Sequence, residues 1–102
     1  MPGVGKLLKQ AQKVQKKIEV LKEELALRTL EVSSGGGAIK ITIAVSGDIK
    51  NIEVDPEFLT EDKGFVEEAL AIGVQEAIET ARKVEEEAMS EATSGMQMPG
   101  FF

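Results

Sequence analysis

Apolar residues in the first quarter of the chain recur at the spacing of a helix with one packed face. Leu7, Ala11, Val14, Ile18, Leu21 and Leu25 alternate steps of four and three, the a/d seam of a coiled coil. The pattern predicts a helix within residues 1–27, beginning at about Val4 or Gly5 after a loose Pro2–Gly3 start and ending at Leu27. At 1.5 Å per residue that helix is about 35 Å long. A three-stranded sheet cannot cover such a length, so part of the seam is expected to project and to require another helix.

The period then drops to two. Leu30 and Val32 alternate with Thr29, Glu31 and Ser33, and Gly35, Gly36 and Gly37 supply a turn. Ile39, Ile41, Ile43 and Val45 share one side of the next strand, with Lys40, Thr42, Ala44 and Ser46 on the other. Gly47 and Asp48 turn the chain into a third strand, Ile49 to Val54, which stops at Asp55 and Pro56. Residues 28–55 therefore read as an antiparallel meander with one buried face. Thr60 is the expected N-cap of a second helix over 60–92, with Glu61 and Asp62 in its first turn where the macrodipole favours them.

Along that helix Val66, Leu70, Gly73, Ala77, Ala81, Val84 and Ala88 form a stripe of mostly small residues suited to close helix approach. Gly64 and Gly73 each cost about 1 kcal/mol against Ala in a helix. Residues 93–102 read as a tail. The order α-β-β-β-α makes 1–102 a single α+β domain: a three-stranded antiparallel meander with two long helices on one face. Two long apolar helices and a small sheet leave hydrophobic surface uncovered in one copy. Such patches mark association, and two-fold dimers are the commonest closed assemblies. A homodimer is expected, with Leu7, Ala11, Val14, Ile18, Leu21 and Leu25 at its interface.

Composition narrows the chemistry. The 102 residues contain no Cys and no His, which removes disulfides, thiolate nucleophiles, zinc clusters and the commonest acid–base group. Nothing approaches the roughly 18 apolar residues of a membrane span. No apolar run after Lys6 reads as a signal peptide, so a cytoplasmic location is expected. Gly35–Gly37 precede no helix, so they are a hairpin turn rather than a phosphate cradle. Glu85, Glu86 and Glu87 fan around a helix and cannot converge on one ion; Asp48 and Asp55 give no further ligand set. Ser33, Ser34, Thr42 and Ser46 have no histidine or cysteine partner. The expectation is a protein without catalytic activity, cofactor, metal, membrane contact or small-molecule substrate.

Charge is unevenly placed. Residues 1–22 hold six lysines against Glu19 alone, a net of +5, whereas residues 23–102 carry a net of −11. Turned by about 100° per residue, Lys6, Lys9, Lys13, Lys16 and Lys17 fall opposite the apolar seam. One face of the helix is built to pack and the other to meet something negative. The whole-chain isoelectric point of about 4.7 hides that local basic surface.

Three stretches resemble the YbaB/EbfC family of bacterial nucleoid-associated proteins: the opening GVGKLLKQAQKVQKKIEVLKEEL, the strand and loop IEVDPEFL from Ile52 to Leu59, and the terminal SGMQMPGFF. The resemblance spans essentially the full length. It implies homodimers whose paired helices project like tweezers, binding of duplex DNA with limited sequence preference, a nucleoid location and a part in gene regulation. Carried over by residue, it assigns DNA contact to Lys6, Lys9, Lys13, Lys16 and Lys17. Family members often carry several basic residues before the VDP strand; here only Lys50 stands there, and the final helix keeps Arg82 and Lys83 in an acidic setting. The competing reading is a protein-binding adaptor or chaperone-like clamp that uses the acidic helix and the apolar tail Met96, Met98, Phe101 and Phe102.

Overall fold

The computed structural model describes residues 2–94. Helix α1 (Pro2–Leu27) leads into strands β1 (Thr29–Ser34), β2 (Ile39–Ala44) and β3 (Ile49–Val54), and helix α2 (Lys63–Ser94) follows. One-turn 3-10 segments at Gly35–Gly37 and Phe58–Thr60 fill the connections. The three strands form an antiparallel sheet in sequence order, so the α+β architecture and the meander stand as read from the pattern. β1 and β2 pair from Thr29–Ala44 to Ser34–Ile39. Between β2 and β3 the register slips by one after Thr42–Asn51, so that Ile43 pairs with Ile49 and Lys50 is the extra residue of a bulge.

Several boundaries differ from expectation for local reasons. α1 begins at Pro2 rather than at Val4 or Gly5, because the fixed φ of proline suits the first helical position, where its missing N–H is no loss. α2 begins at Lys63, not at Thr60. The chain after Pro56 first tightens into a 3-10 turn, in which the Thr60 hydroxyl donates to the Glu57 carbonyl at 2.6 Å. Asp62 takes the capping position instead, its carbonyl receiving the Val66 N–H at 3.0 Å. The far end extends through Thr93 to Ser94, two residues past the expected Ala92. The rest of the expected tail lies outside the described residues.

The core lies between α2 and one face of the sheet. Ile39, Ile41 and Ile43 are fully buried against Ala69, Ala77 and Ala81 of α2, with Leu30, Val32, Leu70, Val74 and Ile78 packed around them. The small-residue stripe thus brings α2 close to the sheet at Gly73, Ala77 and Ala81, while Ala88 at its far end faces helix α1. At Gly73 an added Cβ would stand 2.9 Å from the Cβ of Ser34 and 3.1 Å from Cδ1 of Ile41. The Ser34 hydroxyl completes this contact by donating to the Ala69 carbonyl at 3.1 Å.

α1 does not share that layer, so only one of the two helices covers the sheet face. Leu25, 4% exposed, is its one buried residue among those described. Leu21, Glu24, Leu25 and Arg28 face Ala88, Glu91 and Ala92 near the end of α2 across a shallow recess. From that junction α1 continues outward. The molecule is 71 Å long, whereas 32 residues of α2 account for about 48 Å. The projection expected from the seam length is present.

Candidate nucleic-acid interface

The lysines owe their common face to helix periodicity alone. Within α1, Lys6, Lys9, Lys13, Lys16 and Lys17 are all exposed, and at about 100° per residue they occupy an arc of roughly 100°. Lys6 and Lys17 are eleven residues apart, about 16 Å along the axis. That length matches about five base steps of duplex at 3.4 Å each. The stretch from Lys6 to Lys17 holds no acidic side chain; Glu19, Glu23 and Glu24 of the same helix all follow it. Its ammonium groups are compact point charges suited to phosphate oxygens and carry no planar fork for reading bases.

The structure keeps Lys50 apart from this arc. It stands at the bulge of β3, exposed and on a different element. The acidic run Glu85, Glu86 and Glu87 belongs to the outer half of α2, which places opposite charges on the two long helices. Lys22 falls on the apolar side of α1 at about 100° per residue, and so does not extend the stripe.

The six seam residues divide into two groups. Leu25 is committed to its own chain, whereas Val14, Ile18 and Leu21 are half-buried and Leu7 and Ala11 are exposed. A second apolar strip was not read from the sequence. Ile49 and Ile52 of β3 remain 39% and 40% exposed, although they pair with Ile43 and Ile41, which are fully buried. α2 lies over β1 and β2 and leaves β3 uncovered. The apolar residues of the third strand could have signalled it, since a single helix is too narrow to cover three strands.

The remaining polar groups are structural. The Asp55 carboxylate accepts the Glu57 N–H at 3.1 Å, while its backbone N–H donates to the Ala38 carbonyl at 2.8 Å. This Asx turn gives the VDP segment its part: it ends β3 and redirects the chain toward α2. Gly35, Gly36 and Gly37 all have positive φ and join β1 to β2, as a hairpin reading requires. Among the described residues no group of three or more acidic side chains could hold a metal ion. No helix there is long and apolar enough to cross a membrane.

Comparison with known proteins adds three findings. Residues 1–96 match the model of the YbaB/EbfC DNA-binding family. A protein of Beijerinckia indica named nucleoid-associated protein is 42% identical over 94 residues, covering 91% of this chain and 93% of its own. The crystal structure of the uncharacterized protein HP0035 from Helicobacter pylori superposes with a TM-score of 0.70. That match covers 92% of this chain and 94% of the other at 21% identity, a likeness of fold alone.

Proposed function

The chain belongs to the YbaB/EbfC DNA-binding family, and we propose that it acts as a homodimeric nucleoid-associated protein binding duplex DNA with little sequence specificity. The observation that carries this reading is the arc of five exposed lysines on a helix that projects from the folded body. Lysine–phosphate contacts provide affinity and register without reading base edges. Gln10, Gln12 and Gln15 are spread around the helix and form no set aimed at a groove. Lys50, on β3, is assigned a peripheral phosphate contact. The protein's place is the nucleoid, and its effect on gene expression follows from altered DNA conformation. No catalytic step enters this reading.

A second copy would cover the apolar surface that one chain leaves open. Apolar side chains from Leu7 through Ala11, Val14 and Ile18 to Leu21 form the interface proposed here, with Ile49 and Ile52 as a second strip to be covered. Leu25 contributes only indirectly, by fixing the helix to its own chain. Pairing through the seam would hold two lysine arcs outward. The deciding experiment is a gel shift on duplexes of unrelated sequence across a salt series. Steep salt dependence, equal for all sequences, supports the reading. Salt-independent or absent binding overturns it in favour of an adaptor that engages other proteins through the acidic α2 and the apolar tail.

A further inference from the structure

The sheet has two edges, and they are guarded differently. At β3 the bulge at Lys50 interrupts the ladder, and a charged, twisted margin of that kind discourages further pairing. β1 has no proline, no lysine and no shift in its pairing with β2 from Thr29 to Ser34. The Val45 N–H donates to the Arg28 carbonyl at 2.9 Å, which fixes the phase of this ladder. Alternate residues of an antiparallel strand bond to its partner, so Leu30, Val32 and Ser34 bond toward β2. The N–H and C=O groups of Thr29, Glu31 and Ser33 point the other way, and no described strand pairs with them.

Beside that edge the surface is apolar in its floor and acidic at its rim. A recess of about 460 Å³ opens between β1 and α2, lined by Ser33, Gly35, Phe65, Glu68, Ile72 and Glu76 among others, with no lysine or arginine. Phe65 and Ile72, two turns apart on α2, are 53% and 50% exposed. The Phe65 ring leans on that of Phe58, with centroids 5.7 Å apart. Glu68 and Glu76 are exposed beside them. Leu30, Val32 and Ser34 face α2, so Glu31, also exposed, stands on the other face of the sheet.

We propose that an extended basic segment of another protein adds to β1 as a fourth strand, with apolar side chains on Phe65 and Ile72 and a lysine or arginine beside Glu31. Backbone bonds to Thr29, Glu31 and Ser33 give such strand addition its affinity, and side chains alternating between the two faces give it specificity. A residue directly opposite Glu31 shares its face, so a cation there completes a cross-strand pair. Glu68 and Glu76 draw the same segment toward the recess by charge. A second copy is the wrong occupant, because its own β1 and α2 would bring another Glu31, Glu68 and Glu76 to the same place. The inference goes beyond the DNA-binding reading and does not rest on it, since the lysine arc of α1 takes no part.

The test titrates the full-length protein with a capped heptapeptide of alternating lysine and valine, followed by amide NMR. Shifts and slowed hydrogen exchange should concentrate at Thr29, Glu31 and Ser33. With lysine opposite Glu31, the lysine amides face β1. N-methylation of those amides should abolish binding, and N-methylation of the valine amides should leave it. Glu68→Lys/Glu76→Lys should weaken binding about tenfold through the loss of two exposed ion pairs. No shift at β1 with millimolar peptide overturns the proposal. So does binding that is indifferent to which amides are methylated, or unchanged in the double variant. Protection of the same β1 amides in the free protein, rising with its concentration, would give the edge to a second copy and overturn the proposal too.

Discussion

Gly73 and Ser34 approach so closely that a methyl group on the glycine would stand 2.9 Å from the serine Cβ. This contact sets the distance between α2 and the sheet, and Ser34 secures it by donating to Ala69 one turn earlier on α2. An exposed Gly→Ala change within a helix normally gains about 1 kcal/mol. Here the added carbon also meets Ile41 Cδ1 at 3.1 Å, and overpacking of this kind costs about 1–3 kcal/mol. Gly73→Ala is therefore expected to lower the urea midpoint. The second change Ser34→Gly, which removes the opposing Cβ, should restore part of the loss. A Gly73→Ala variant as stable as the parent would show that the sheet yields.

The Asx turn at Asp55 offers a smaller, local test. Replacing Asp55 with Ala removes the acceptor for the Glu57 N–H at an exposed position where water can substitute. A loss of about 0.5–1.5 kcal/mol is expected, with Asp55→Asn retaining most of the stability because its amide oxygen accepts the same bond. Equal losses for Ala and Asn, measured by thermal unfolding, would remove the hydrogen bond as the cause.

How much of this was readable beforehand depended on whether neighbours in sequence or in space decide. Ile39, Ile41 and Ile43 alternate strictly, and the strand and its buried side followed from that period alone, while Gly47–Asp48 and Asp55–Pro56 marked the bounds of β3. The lysine arc was equally plain, because helix angle is a local property. Gly73 was not: its helical cost is visible in the sequence, but its compensation depends on Ser34 and Ile41, which arrive only through folding. Leu25 carries the same seam spacing as Leu7, yet it is buried in its own chain while Leu7 is open. Periodicity identifies a face, not what covers it. Thr60 and Asp62 are both good caps by residue type, and the turn after Pro56 decided between them.

That division within the seam gives a test of the proposed dimer. Ile18 is half-buried and Leu25 fully buried in the single chain. Ile18→Asp is expected to shift the molecular mass from dimer to monomer in light scattering, because a second copy would have to bury an unpaired carboxylate. Circular dichroism of its sheet and α2 should remain close to the parent's. Leu25→Asp should instead destabilise the chain itself by several kcal/mol, independent of protein concentration. If Ile18→Asp keeps the parent's mass and melting temperature, the second copy does not use the seam.

The lysine arc makes the most direct prediction about function. Each phosphate neutralised on a duplex contributes a slope of about −0.9 to log K against log salt. Two arcs in a dimer should therefore give a slope of several units even when only some lysines engage. Lys9→Gln/Lys13→Gln/Lys16→Gln is expected to weaken binding to every duplex by a similar factor and to flatten the slope. Stability should stay within about 0.5 kcal/mol of the parent, since these side chains are exposed and lie opposite the seam. Lys50→Gln alone should reduce the slope by at most about one unit, because Lys50 sits on β3, away from the arc. A triple variant with unchanged affinity and unchanged slope would make the arc a solvated helix face. Sequence-dependent losses would instead mean that these lysines reach base edges and that the specificity is not low.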